Sequence, residues 1–367
     1  MNIAIVGSGV IGLSVASRLT CLGHRVTIVS GQGPLQTTSA VSAAYWGPYF
    51  VGDYEREWAV QTWHELVQLA SSPETASQSG TSIVEFSEWL GDSDRDELER
   101  QLRGDASAPL NDGEVSLAEA VPYWWRDLPG VDFRVEPLSP PESIDFPDLG
   151  KKYFTAQLRF RSVVARMPDY LKWLENGLLA DGSVEFVNEW VSGFEPLLSR
   201  FDCVANCTGW GAKRLVPEDP ATADMRLLAG LVVRVDAPEQ RVAISLGHGA
   251  FATRPLYIVP RTGSQRDSIC GGTAIEIPGD IDPRAPFPIP IDERCDAIFE
   301  RCALASSAIR DGVRCENLAG LRPMRSSVRI EFDVARPRLL HCYGHGGSGL
   351  TLSWGSADRV CELVSTI

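Results

Sequence analysis

Basic residues are the minority in this chain: 34 Lys and Arg stand against 48 Asp and Glu, a formal charge of −14 over 367 residues. That balance works against a nucleic-acid footprint and against attraction to anionic membrane surfaces. No apolar run is long enough to span a bilayer. Met1 leads directly into a strand-like run without a basic, apolar leader, and Ser365-Thr366-Ile367 is not a peroxisomal address. A cytoplasmic location is the expectation. The nine cysteines are scattered, and Cys203 and Cys207 have no second cluster to complete a zinc site, so they read as buried thiols and no metal is expected. The five histidines (24, 64, 248, 341, 345) show no partnered arrangement suited to acid–base catalysis; His24 and His64 are expected in solvent.

What is present is enough apolar material, 44% of the chain, for two hydrophobic cores. Asn2 to Val6 is a short apolar run; Gly7-Ser8-Gly9-Val10-Ile11-Gly12 follows; Leu13, Ala16 and Leu19 fall at helical spacing; Val26 to Val29 resumes as a strand. A Gly-x-Gly-x-x-Gly alone is weak, but between a strand and a helix it reads as a dinucleotide cradle. Gly7 permits the turn, Gly9 admits a pyrophosphate, and Gly12 lets helix and strand pack closely. An ordinary βα turn is the competing reading.

Further on, Ala59, Trp63, Leu66, Val67 and Ala70 share one helical face, as do Ile291, Cys295, Ile298, Phe299, Cys302 and Ala305. Ser71 to Pro147 is acidic and weakly periodic, and is expected to form loops and short helices. Val232 to Val235, Tyr257 to Val259 and the run into Gly271-Gly272-Thr273 read as strands of a second, largely antiparallel sheet, and Asp202 to Gly209 as a return to the first unit. Tyr343 to Gly355 is a glycine-rich loop opening a C-terminal helix, whose N–H groups and positive end can face a ligand.

Three segments together resemble the D-amino-acid oxidase family of flavoproteins: the N-terminal loop with Thr37 to Tyr49, then Gly320-Leu321-Arg322-Pro323-Met324-Arg325, then Tyr343 to Gly355. The resemblance implies an α/β fold, with a Rossmann-like FAD-binding domain (residues 1–50, 165–212 and 316–367) and an inserted mixed, largely antiparallel β-sheet substrate domain (51–164 and 213–315). It implies FAD as cofactor, held by Gly7, Gly9, Val10, Ile11, Gly12, Ser30, Thr37, Thr38, Ser39, Ala43, Ala44, Tyr45, Gly209, Gly346, Gly347, Gly349, Leu350 and Thr351.

It also implies oxidation of the Cα–N bond of an amino acid by hydride transfer to flavin N5. The products are an imino acid that hydrolyses to a 2-oxo acid and ammonia, and H2O2 from O2. Placement by the protein, not a side-chain base, is what such chemistry needs. Arg322 matches the family's carboxylate-binding arginine, whose planar fork suits a carboxylate. Tyr257 matches a tyrosine sharing that carboxylate, and the Gly347 carbonyl matches the acceptor for the amine. Arg325 is expected in a structural ion pair, and His345 beside the flavin. Trp46, Gly47 and Thr253 are expected in the substrate pocket.

The sequence departs from the pattern at three places. The strand ending Val29-Ser30-Gly31 lacks the carboxylate that usually holds the adenosine ribose, which leaves Ser30 or backbone groups to substitute. Thr253 stands where vertebrate-type enzymes carry a second tyrosine, and Gly47 replaces a larger residue. Ala274 stands where D-aspartate-selective relatives carry an arginine, although Arg254 could compensate. A bulky or unusual D-amino acid is therefore expected, with a homodimer as the oligomeric state. The rival readings are a glycine or sarcosine oxidase, a FAD-dependent amino acid dehydrogenase, a nicotinamide-dependent oxidoreductase, and a flavin-binding subunit without turnover.

Overall fold

The computed structural model describes residues 1–48, 51–91, 123–147, 149–246, 255–277, 281–282, 284–285 and 287–367. Its strands are β1 (Asn2–Val6), β2 (Arg25–Ser30), β3 (Thr81–Leu90), β4 (Arg134–Phe146), β5 (Gly150–Ala165), β6 (Val184–Asn188) and β7 (Cys203–Asn206). They continue as β8 (Arg226–Asp236), β9 (Ala243–Leu246), β10 (Leu256–Arg261), β11 (Asp267–Gly271), β12 (Ile275–Ile277), β13 (Val313–Phe332) and β14 (Leu339–His345). The helices that build the site and the cores are α1 (Val10–Cys21), α2 (Arg56–Ser71), α3 (Met167–Asp181), α4 (Asp292–Ala305) and α5 (Gly349–Val364). None is long and apolar enough to cross a membrane among the described residues.

The strands join in one sheet, in the order β4-β5-β3-β9-β10-β11-β8-β13-β14-β7-β1-β2-β6, with β12 on β8. From β14 through β7, β1 and β2 to β6 every pair is parallel. Parallel strands are buried on both faces, and β1 shows how. Ile3 and Ile5 join Leu13, Ala16 and Leu352 in one core, while Ala4 and Val6 pack with Phe194, Leu197 and Val204 in another. On the first face α5 crosses α2 so closely at Gly355 that an added Cβ would stand 2.2 Å from the Trp58 Cα.

The remaining pairs are antiparallel except β3 with β9. This agrees with the strands read around Val232, Tyr257 and Gly271, and α2 and α4 coincide with the two apolar periodicities. The reading of residues 71–147 is corrected: β3 and β4 lie in that stretch. The signal was hidden because β4 carries Pro137, Pro140 and Pro141, which interior strands exclude. It survives as a strand because it is the sheet's edge, with a register break between Pro137 and Glu142 that absorbs the other two prolines. Of the nine cysteines, all free, Cys21 and Cys315 are exposed and Cys361 partly so, which corrects the expectation that all are buried.

Candidate active site

The turn from β1 into α1 behaves as its three glycines require. Gly7 has φ +114°, a conformation that L side chains rarely adopt. A Cβ on Gly12 would stand 2.1 Å from the Gly7 carbonyl oxygen, so only glycine lets α1 lie this close to the turn. A Cβ on Gly9 would meet the Ser39 hydroxyl at 3.2 Å, and that hydroxyl accepts from the Val10 N–H at 3.1 Å. The Thr37 to Ala44 segment is thereby clasped against the start of α1.

These groups open into one cavity of about 680 Å³, within the range of small-molecule and cofactor sites. One end is walled by Gly7, Gly9, Val10, Ile11, Ser30, Thr37, Thr38 and Ser39. Ala43, Ala44, Tyr45, Gly47, Gly209 and the loop Gly346, Gly347, Gly349, Leu350 continue the wall, and Tyr257, Ala274 and Arg322 complete it. The last loop puts the N-terminus of the 16-residue α5 on the cavity, where its positive end attracts developing negative charge.

At the far end the side chains are held by absent ones. The Arg322 guanidinium lies over Gly230, where a Cβ would be 2.4 Å from its carbon and both terminal nitrogens. The Tyr257 ring lies over Gly271, where a Cβ would be 2.0 Å from the ring. Arg322 Nη1 donates to the Thr273 carbonyl at 2.8 Å, which fixes the plane of the fork. Burial pushes the Tyr257 phenol above its ordinary pKa, and the adjoining Arg322, which acts the other way, does not undo this. The hydroxyl therefore stays protonated and can donate.

Three expected site residues, Trp46, Gly12 and Thr351, stand off the cavity. Trp46 is buried at 1%, its Nε1 donating to the Ala59 carbonyl at 2.9 Å and its ring against Trp63 and Trp125. It faces away from the cavity that its neighbours Tyr45 and Gly47 line, because successive residues of an extended segment point to opposite sides. Gly12 shapes the turn from behind the wall. The Thr351 hydroxyl is engaged with the backbone of Gly47 and braces that segment without reaching the cavity. Thr253 lies outside the described residues, as do Arg254, His248 and Tyr49.

Ser30 lines the cavity, but its hydroxyl donates to the Gln32 carbonyl at 2.8 Å and meets the Ser8 hydroxyl at 3.1 Å. Sequence reading missed Glu189 and Trp190 at this end. Glu189 follows β6, and its N–H donates to the Ser30 carbonyl at 3.1 Å, so a carboxylate arrives from the neighbouring strand. Trp190 covers Gly31, where a Cβ would be 2.1 Å from the indole. Also missed were Glu88 and Ser245 on the wall near Tyr257.

His345 lines the cavity, its Nε2 3.0 Å from the Ser356 hydroxyl, and burial lowers its pKa to about 3. His341 has polar partners, but away from the cavity, which leaves the expectation of no arrangement suited to acid–base catalysis standing at the site. Its Nε2 is 3.1 Å from Asp333 and its Nδ1 3.2 Å from the Asn206 amide. The partners come from β7 and the turn before β14, and the group is not on the cavity. Asp219 joins Asp333 and His341 with ligand atoms within 4.8 Å, but Arg329 donates into Asp219 and supplies the cluster's positive charge. Arg325 is 3.6 Å from Asp224, as its expected ion pair requires. His64 is exposed and His24 partly buried.

Comparison with known proteins gives the chain's family and cofactor. The DAO family model, described as FAD dependent oxidoreductase, matches residues 2–363. The chain belongs to this family. It is an enzyme of the FAD-dependent amino acid oxidase kind, and FAD is its cofactor. The D-amino-acid oxidase of Rubrobacter xylanophilus is 33% identical over 365 residues, covering 98% of this chain and 94% of the relative. That of Streptomyces coelicolor is 31% identical over 375 residues, covering 99% and 97%. The solved glycine oxidase of Bacillus cereus has the same fold, with a TM-score of 0.69 at 18% identity, covering 100% of this chain and 95% of that one.

Proposed function

We propose that the chain oxidises the Cα–N bond of a D-amino acid held through its carboxylate by Arg322 and Tyr257. The observation that carries this is their pairing at the end of a cavity otherwise suited to FAD. A guanidinium whose plane is set by Thr273 offers a carboxylate two parallel charge-assisted hydrogen bonds, and the protonated Tyr257 hydroxyl adds a third. The Gly347 carbonyl, on the same cavity, accepts from the substrate amine. No side chain has to remove a proton at carbon, in keeping with a His345 that burial holds neutral.

When bound, FAD would supply the hydride acceptor and an outlet for the electrons to O2, and the products would be H2O2 and an imino acid that hydrolyses to a 2-oxo acid and ammonia. The chain's part is to hold it. The Gly7 to Ile11 turn and the N-terminus of α1 receive the pyrophosphate. Thr37 to Tyr45, Gly209 and Gly346 to Leu350 run along the rest. Glu189 accepts from the adenosine ribose, since the Ser30 hydroxyl is already engaged. The fit rests on the cradle itself, where Gly7, Gly9 and the N-terminus of α1 open onto the cavity with no side chain on either glycine to fill it.

The substrate end favours a side chain larger than a hydrogen or methyl. Gly47, Ala274 and Ser245 are small, and the wall continues past Tyr257 to Glu88. This argues against glycine or sarcosine as the preferred substrate. Ala274 in place of an arginine, with Glu88 on the same wall, argues against an acidic one. Comparing kcat/KM across a panel of D-amino acids tests the reading: D-alanine as the best substrate would sink it. Admitting air after anaerobic reduction and assaying H2O2 separates an oxidase from a dehydrogenase.

A further inference from the structure

Two short strands lie in turn along β8: β11 ends at Gly271, opposite Val232, and β12 begins at Ile275, opposite Ala229. Between these two pairings stands Gly230, the residue on which the Arg322 guanidinium lies. Its neighbours Ala229 and Leu231 are buried, and one side chain serves both. The Thr273 hydroxyl accepts from the Leu231 N–H at 2.9 Å and donates to the Ala229 carbonyl at 3.1 Å. A single hydroxyl can do this because it is donor and acceptor at once, and buried backbone groups require such partners. The carbonyl of the same residue accepts from Arg322 Nη1 at 2.8 Å, on the cavity that Thr273 lines. One residue therefore fixes the surface under the guanidinium and the acceptor beside it in a single relation.

We infer that Thr273 is the positioning residue of the carboxylate clamp: its hydroxyl ties the Gly230 floor to the carbonyl that turns Arg322, so that the fork is set before a carboxylate arrives. This rests on the reading of Arg322 as the carboxylate's partner, proposed above. An arginine side chain has many rotamers, and ordering it only on binding costs affinity; a fork already held avoids that loss. Valine has nearly the shape of threonine but puts a methyl group where the hydroxyl stands, which strips the Leu231 N–H and the Ala229 carbonyl of their shared partner. Those buried groups are then satisfied only by a shift of the segment that carries the Thr273 carbonyl. Serine keeps the bridge. Because a carboxylate is gripped alike in the ground state and in the transition state, lost positioning is read chiefly as weaker binding.

The test follows hexanoate, a carboxylate without an amine, through its perturbation of the flavin spectrum in the FAD-loaded wild type and in Thr273→Val and Thr273→Ser. Kd is expected to rise at least about tenfold in Thr273→Val and to stay within about twofold of wild type in Thr273→Ser, with FAD affinity unchanged in both. Added to Arg322→Ala, Thr273→Val should weaken hexanoate no further, the mark of a residue that acts through that arginine. A smaller rise in Thr273→Val, a Thr273→Ser as weak as Thr273→Val, or losses that add in the double variant overturn the inference. Should Thr273→Val fail to fold or lose FAD, Thr273→Ala removes the same hydroxyl without pressing a methyl group on the two peptide groups, and carries the same expectation. Failure of both would overturn the inference by placing Thr273 in the scaffold alone. If Arg322→Ala weakens hexanoate and the Thr273 variants do not, only this inference fails. If Arg322→Ala binds hexanoate like the wild type, the clamp of the proposed function fails with it.

Discussion

Arg322 lies flat on the cavity wall because its neighbours are small. Its guanidinium occupies the place of a Gly230 side chain, and a bond to Thr273 sets its plane. Arg322→Ala should lower kcat/KM by about two to three orders of magnitude, the scale expected when one partner of a sheltered charge pair is removed. Arg322→Lys should recover little of this, because an ammonium cannot make the paired contact. Gly230→Ala is a milder check. It should raise KM by pushing the guanidinium aside while FAD binding, followed by flavin fluorescence, stays near wild type; parallel loss of both would place Gly230 in the fold instead. The placement of Arg322 and Tyr257 on the cavity was legible in the sequence through the motifs around them. Glu88 was not, because its position in the site comes from the β3–β9–β10 register, which no local pattern encodes. Trp46 misled for the complementary reason: it sits between two cavity residues but on the opposite side of an extended segment.

At the scale of elements, the β1–α1–β2 unit could be read almost residue by residue, since each glycine answers a local steric demand. Gly12→Ala should separate α1 from the turn, lowering Tm and yielding protein largely free of flavin; a yellow protein of unchanged Tm would show that the close approach is dispensable. At the Ser30 end of the cavity Glu189 went unread because it follows β6, more than a hundred residues beyond β2 in the chain. Glu189→Gln should weaken FAD binding to the apoenzyme by about tenfold, while FMN, which lacks the adenosine, should bind as it does to the wild type. Equal weakening of both would assign Glu189 a structural part. The β4 strand was hidden by prolines that only an edge tolerates, and edge position is a property of the assembled sheet.

The whole molecule carries its acid sensitivity in buried groups. Burial lowers the pKa of His345 to about 3 and lowers that of His341 despite its Asp333 partner. Burial alone would raise Asp333, but hydrogen bonds from Arg336 and His341 outweigh it and hold the carboxyl well below its usual range. All three bind fewer protons folded than unfolded, so each contributes stability that is lost as pH falls. For His345 the loss begins near 6.5, the ordinary histidine value, and continues to about 3. Tm measured in saturating FAD should therefore drop between neutral pH and pH 5, and His345→Gln should flatten that slope by up to one proton's worth. A slope unchanged by the substitution would show that His345 titrates normally.

The central claim is that this enzyme oxidises a D-amino acid gripped by its carboxylate at Arg322. Anaerobic mixing of the purified yellow protein with D- and L-enantiomers of the same amino acids, wild type beside Arg322→Ala, tests it most directly. The account predicts rapid bleaching of the wild-type flavin by D-enantiomers with long side chains, slow bleaching by D-alanine, none by the L-enantiomers, and a rate in Arg322→Ala lower by orders of magnitude. Bleaching by L-enantiomers in preference, or at equal rates in wild type and variant, would contradict it.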